Sequence, residues 1–336
     1  MTEFFIWLAV FAIFLVALIK AAELIAAGTQ KLVGDASGSD MAVAAIGAAL
    51  PETAAAAVAV LQGWPELAMA IVIGSSIANI LLVVGVSALA AKSLTIRKDH
   101  IGTDLPLFAA SAVLFYFVAQ DGKVVFWEGL LMLIVFFVYA VGVLSNARRE
   151  LTPRDVINPS MIGAAGARLM ETVGTRIERG LERVAHRRDN FWKISLMVLG
   201  GAILLAVSAH ITIEALVNIS YDWVAPTAMA MVVLAVAAAV PELTNSLKVI
   251  RRKRYEVALG NIFAATTANL LLVTGVAAMF APLPLDGATL IVGLPFFVAS
   301  TGLLLVSAFS GKVNFGQGLM YLFLYFLFFV KLFGLF

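Results

Sequence analysis

The sequence predicts an all-α polytopic membrane protein with ten transmembrane helices arranged as two inverted five-helix repeats. Three observations carry that prediction. The 336-residue chain is 62% hydrophobic and only 13% charged, with a mean hydropathy of +1.00, whereas an ordinary soluble domain is about half apolar and a quarter charged. The stretch from Ala45 to Gly85 is echoed 190 residues later from Ala235 to Gly275, so that Pro51-Glu52 recurs as Pro241-Glu242 and Asn79 as Asn269. Finally, the cations fall on alternate loops.

Apolar runs of the length needed to cross a bilayer, about 20 residues each, predict helices over 4–31, 40–62, 66–92, 104–119 and 124–146. After a polar segment come 191–218, 225–250, 255–281, 286–309 and 314–335. The organisation is thus a first repeat over 1–146, a basic loop over 147–190 and a second repeat over 191–336. An odd number of crossings in each half turns the second half upside down, the plan of secondary transporters that bind substrate near the midplane where the repeats meet. With the N-terminus outside, 20 of the 23 Lys and Arg residues lie on inner loops: Lys31, Lys92, Arg97 and Lys98, ten from Arg148 to Lys193, five from Lys248 to Arg254, and Lys312. Both termini are therefore expected outside. The N-terminus enters its apolar run without a basic region or cleavage site, so no signal peptide is expected.

Between the halves, Leu169, Val173, Ile177, Leu181 and Val184 recur every three or four residues, with Arg168, Arg176, Arg179, Arg183 and Arg187 on the other faces. That pattern reads as an amphipathic helix on anionic lipid, with a solvated linker as the alternative. A net charge of +2 gives no footprint for nucleic acid, and the chain has no cysteine for disulfides or thiolate metal sites. No His-Glu-x-x-His, Gly-x-Ser-x-Gly or phosphate-cradling motif is present, so an enzyme is not expected and no cofactor is implied.

The chemistry concentrates around the two glutamates. A carboxylate inside a membrane span is expensive and is functional by default. Pro51 has no N–H for the carbonyl of Gly47, and Pro241 likewise leaves the carbonyl of Ala237 without its helical partner. Free carbonyls at membrane depth are tolerated where they line a cavity or bind something. Glu52 and Glu242 with these oxygens make a hard, doubly anionic, all-oxygen site of the kind calcium prefers. Ser75 and Asn79, four apart, share a helix face, as do Ala265 and Asn269; each amide can ligate a cation or hold a carboxylate, or else bridge helices. Gly74, Gly85, Gly260 and Gly275 read as close-packing positions.

These residues resemble the sodium/calcium exchangers of the cation/calcium antiporter superfamily, in a prokaryotic form, over essentially the whole chain. The specific part is a pair of motifs, Gly-Thr-Ser-Leu-Pro-Glu followed by a Gly-Ser-Asn-Ile-x-Asn segment. Here they read Gly47-Ala48-Ala49-Leu50-Pro51-Glu52 with Gly74-Ser75-Ser76-Ile77-Ala78-Asn79. In the second half they read Ala237-Ala238-Ala239-Val240-Pro241-Glu242 with Ala264-Ala265-Thr266-Thr267-Ala268-Asn269. The resemblance implies an antiporter of the prokaryotic cytoplasmic membrane in which Glu52 and Glu242 hold the transported calcium and Ser75, Asn79 and Asn269 complete the ion sites. It also implies sodium as counter-ion. Yet the family's Thr-Ser hydroxyls are Ala48-Ala49 and Ala238-Ala239 here, and a serine and an aspartate are replaced by Ala265 and Asn269. Sodium needs several neutral oxygens, so the departures leave sodium and protons both open as counter-ion. They also leave room for a transporter-shaped cation-binding or sensing protein without exchange. Lys20 and His210, again 190 apart, lie in the first helix of each half, which the resemblance implies is mobile. Either one titrates or acts as a tethered cation near the carboxylates, or Lys20 pairs with Glu23 while His210 makes an ordinary hydrogen bond.

Overall fold

The computed structural model describes residues 2–33, 39–95, 104–149, 188–220, 224–253 and 255–334. Its helices are α1 (Thr2–Val33), α2 (Ser39–Leu61), α3 (Pro65–Ala91), α4 (Asp104–Ala119) and α5 (Phe126–Arg149), followed by α6 (Arg188–Ser220), α7 (Pro226–Arg251), α8 (255–278), α9 (Thr289–Phe309) and α10 (Phe315–Leu332). The basic amphipathic segment expected within 147–190 falls almost wholly on residues 150–187, outside the described ones. Among the described residues, seven helices are long and apolar enough to cross a membrane, with shorter apolar stretches at Ala49–Leu61, Leu105–Ala119 and Phe126–Val141.

Local chemistry explains where the helices start. Proline stands at the first turn of α3 and of α7, where its missing N–H is no loss. Asn314 and Gln317 form a capping box on α10; Glu128 accepts from the Val125 amide at the head of α5. Ahead of α9, Asp286 accepts from the Thr289 N–H at 3.0 Å and from the Thr227 hydroxyl of α7 at 2.6 Å. One carboxylate thus caps one helix and anchors another.

Four very short strands join the helix ends. Ser93–Thr95 (β1) pairs antiparallel with Lys312–Asn314 (β4), and Lys123–Val124 (β2) pairs with Leu283–Pro284 (β3). The pairs Ser93↔Asn314 and Leu94↔Val313 become Leu283↔Val124 and Pro284↔Lys123 under the 190-residue shift. Each strand buries one apolar side chain completely: Leu94, Val124, Leu283 and Val313. The loop that leaves α3 therefore meets the loop that enters α10, while the equivalent loop leaving α8 meets the one entering α5.

Burial divides the helices. The α3 span is 94% buried, whereas that of α1 is 17% buried. Large apolar side chains stand exposed along these helices, among them Phe5, Ile13, Trp127, Phe137 and Phe309, as expected where lipid rather than water surrounds them. Close crossings are made by glycine. A Cβ on Gly85 would meet the Gly318 carbonyl oxygen at 3.2 Å, and one on Gly275 would meet that of Gly129 at 2.9 Å. Gly74 lies hard against the Met231 backbone. Small residues let backbones approach in just this way where no hydrophobic effect drives helix association.

The most extensive helix contact is between α1 and α6. Their apolar cluster of Leu18, Ala21, Ala22, Leu205 and Ala209 is separate from the main core and touches α2 at Leu50, Ala54 and Val58. Gly47 of α2 faces Ala26 of α1, 2.9 Å from where its Cβ would stand.

Candidate functional site

Both prolines sit inside helices that continue through them: Pro51 within α2 and Pro241 within α7. The expected break is thus only the loss of one hydrogen bond, because neighbouring turns hold the helix and the freed carbonyls of Gly47 and Ala237 stay in place. Just beyond, the Thr53 hydroxyl donates to the Ala49 carbonyl at 2.6 Å.

Glu52 is 5% exposed, and its Oε2 has no hydrogen-bond partner. Glu242 is half-buried, yet its Oε2 is likewise enclosed and unpartnered. The helices that carry them, α2 and α7, are in contact. Carboxylates that each keep one enclosed oxygen without a donor are costly unless a proton or cation meets that oxygen.

The helices deliver the remaining polar groups crosswise. Within α3, residues Ala78–Val83 form a π-helical turn, and within α8 the equivalent turn is Asn269–Val273. The first holds Asn79 and the second begins at Asn269. The Glu52 helix α2 packs against the Asn269 turn of the other half, and the Glu242 helix α7 packs against the Asn79 turn. Such π turns are rare and concentrate at functional sites, since they shift the side-chain register within one helix.

Ser75, Asn79 and Asn269 are each 2% exposed. Ser75 Oγ, Asn79 Oδ1 and Asn269 Nδ2 have no hydrogen-bond partner. Ser76 and Thr266, which sequence reasoning passed over, are 190 apart, fully buried and equally without a hydroxyl partner; Thr267 is buried and unpartnered too. Their signal was the repeat itself, had hydroxyls been tracked along with acids and amides. Elsewhere some helical hydroxyls bond the preceding turn, as Ser111 does to Leu107 and Ser300 to Phe297, while others such as Ser87, Ser208, Thr212 and Thr301 are unpartnered too, so it is position beside the asparagine turns that marks Ser76, Thr266 and Thr267. Among the described residues no three His, Cys, Asp or Glu side chains converge. Two acids with amides and hydroxyls are what this centre offers.

Lys20 and His210 are given other partners. Lys20 Nζ is 2.6 Å from Glu23 Oε2, both groups exposed on α1. His210 is exposed on α6 and hydrogen-bonded to Gln62. The structure thus brings Glu52 and Glu242 together with the asparagine turns, and it leaves the two basic residues on the surface.

A family model described as sodium/calcium exchanger protein matches residues 6–145 and 193–334. Among curated proteins, the putative antiporter CaxA of Alkalimonas amylolytica is 28% identical over 278 residues, covering 82% of this chain and 80% of that protein. The sodium/calcium exchanger MaX1 of Methanosarcina acetivorans is 26% identical over 325 residues, 87% of each chain. Inner membrane protein YrbG of Escherichia coli is 26% identical over 248 residues, covering 73% of this chain and 70% of that one. Among solved structures, an H+/Ca2+ exchanger CAX superposes with a TM-score of 0.70 at 16% identity, covering 97% of this chain and 81% of that one. The sodium-calcium exchanger NCX_Mj gives 0.60 at 21%, covering 96% and 98%. Those two share the fold.

Proposed function

From the premise that the chain belongs to the sodium/calcium exchanger protein family, and so is an integral membrane cation/calcium antiporter, we propose that it exchanges calcium against protons. The calcium binds between Glu52 and Glu242. One observation carries this reading: two carboxylates from equivalent positions of the halves, each with an enclosed and unpartnered oxygen, stand on helices α2 and α7 that pack on each other and, crosswise, on the two asparagine turns. Asn79, Asn269, Ser75 and the carbonyls of Gly47 and Ala237 supply neutral oxygens around them, a donor set suited to a hard divalent ion.

The architecture that goes with it is ten transmembrane helices in two inverted five-helix repeats. The strand pairings that exchange partners under the 190-residue shift support it, because equivalent loops then lie at opposite ends of the bundle. In this reading α1 and α6 slide over the other eight helices, exposing the carboxylates to one side and then the other, and both termini face outward. The separate apolar cluster of that pair and the Gly47 contact with Ala26 suit such sliding, since small smooth surfaces resist it least.

Once calcium leaves, the two bare carboxylates must be neutralised before the site recrosses the membrane. The named relatives and neighbours include both a sodium and a proton exchanger. Alanine at positions 48, 49, 238, 239 and 265 removes hydroxyls that would hold sodium, while a glutamate accepts a proton with no further ligand. The test is calcium-45 uptake into proteoliposomes driven by a sodium gradient in one set and a pH gradient in another. A pH gradient is expected to drive uptake; uptake driven by sodium alone overturns the proton assignment, and none under either gradient overturns exchange.

A further inference from the structure

Two turns of the chain are built alike. After α2, the Gly63 N–H donates to the Val60 carbonyl and Gly63 adopts φ +86°; after α7, the Lys253 N–H donates to the Ile250 carbonyl and Lys253 adopts φ +59°. The two residues are 190 apart. The second turn keeps the left-handed form although a lysine is strained in it. The frame that holds Gln62 is thus repeated around Arg252.

What covers the two helices is not repeated. On α2, Leu50, Ala54 and Val58 pack against the α1–α6 cluster of Leu18, Ala21, Ala22, Leu205 and Ala209. One turn on, Gln62 Nε2 lies 2.7 Å from His210 Nδ1 and 2.9 Å from the His210 carbonyl oxygen. Residues spaced by four form one stripe of a helix, and α1 and α6 cover all of this one. On α7 the same stripe is Val240, Thr244, Lys248 and Arg252, and all four are exposed. Of α7, the two covering helices meet chiefly the first turn, Pro226–Met229.

The covering helices differ in a matching way. Leu18 and Ala22, members of the cluster on which α2 packs, correspond to Ser208 and Thr212 of α6. Both hydroxyls are buried without a hydrogen-bond partner. Contacts transposed by the repeat set them beside Thr244 and Lys248, so that apolar meets apolar in one half and polar meets polar in the other. The same transposition turns Gln62–His210 into Arg252–Lys20. Two cations repel, but Lys20 already holds Glu23, Nζ to Oε2 at 2.6 Å, and a carboxylate has a second oxygen for an arginine.

We propose that the bare stripe of α7 is a second seat for the α1–α6 unit, and that Glu23 fastens the unit there by taking Arg252 as a partner while it keeps Lys20. The proposal rests on the reading in which α1 and α6 slide, and it names the residues that hold each end of the travel. At one end these are an amide and an imidazole. At the other they are an acid between two bases, which accounts for the echo of Lys20 and His210 without placing either at the cation.

The chain has no cysteine, so pairs can be introduced cleanly. Gln62→Cys with His210→Cys reports the seat on α2, and Ser208→Cys with Thr244→Cys reports the seat on α7. Each pair is placed in the full chain in lipid nanodiscs and joined by a short bifunctional thiol reagent. Both pairs are expected to link. Glu23→Gln and Arg252→Gln are each expected to lower the ratio of the second linking rate to the first by roughly 1.5–5-fold, the worth of an exposed ion pair, and together no further than either alone. Failure of the Ser208–Thr244 pair to link where the Gln62–His210 pair does overturns the second seat. A ratio that neither substitution lowers, or that the two lower additively, overturns the role of Glu23. Linking needs no calcium gradient, so it can fail while calcium uptake stands, and uptake can fail while linking stands.

Discussion

At the scale of single residues, the centre rests on what Glu52 and Glu242 lack. One enclosed oxygen of each has no donor, and a buried carboxylate oxygen without a donor asks for a cation or a proton. Asn269 is the sharpest place to perturb this balance. The π turn it begins packs against the Glu52 helix, so Asn269→Asp adds a third acid to the same centre. Calcium binding by that variant is expected to tighten and turnover to slow, because release becomes harder; calorimetry and initial uptake rates check the two halves of this statement. The two acids, Asn79, Asn269 and Ser75 were legible in the sequence because a charge in an apolar span stands out and the 190-residue echo repeats it. Ser76 and Thr266 were not, since hydroxyls are scattered along many of these helices and only coordinates show which of them lie buried beside the asparagine turns. Lys20 and His210 carried the same echo and lie elsewhere, which shows that equal spacing locates equivalent positions without saying which way a side chain points.

At the scale of helices, glycine contacts and π turns set how closely the elements approach. Gly275→Val has to displace the Gly129 backbone, whose oxygen stands 2.9 Å from the new Cβ, so a loss of roughly 1–3 kcal/mol is expected from overpacking. Gly302→Ala meets nothing within 4 Å and is expected to stay within about 0.5 kcal/mol of the parent. Thermal unfolding in detergent with calcium held constant compares them, and equal losses in both variants contradict the packing assignment. Pro51→Ala returns an N–H to the Gly47 carbonyl while leaving α2 helical, so folding is expected to survive and calcium affinity to weaken as that oxygen is drawn back into the helix. Helix positions followed from apolar run lengths, to within a few residues at most ends. The π turns at Ala78–Val83, Ala230–Leu234, Asn269–Val273 and Thr289–Gly293 could not have been read this way, because one extra residue in a turn barely disturbs a pattern that is apolar on every face.

At the scale of the molecule, the repeat explains why two acids so far apart in sequence share one place. The two strand pairs fasten each half to the other outside the α1–α6 unit, and their swapped partners were invisible in sequence because strands of two or three residues leave no period to detect. Linking Ser93→Cys to Asn314→Cys by a disulfide is therefore expected to leave calcium uptake intact, since in the proposed exchange cycle the eight-helix part moves as a body; a cross-link that stops uptake, with reduction restoring it, contradicts that division. The claim beneath all of this is that one cation is held jointly by Glu52 and Glu242. A divalent ion about 4 Å from a carboxylate, at an effective dielectric near 20, gains roughly 8 kcal/mol before desolvation, and if only a quarter survives, removing one acid weakens binding about 30-fold. Equilibrium calcium-45 binding to the purified chain, alone and as Glu52→Gln or Glu242→Gln, measures this most directly. One calcium per chain, lost about 30-fold or more in either variant, is the predicted result; binding at undiminished affinity in either variant, or two ions per chain each lost with one glutamate, contradicts it.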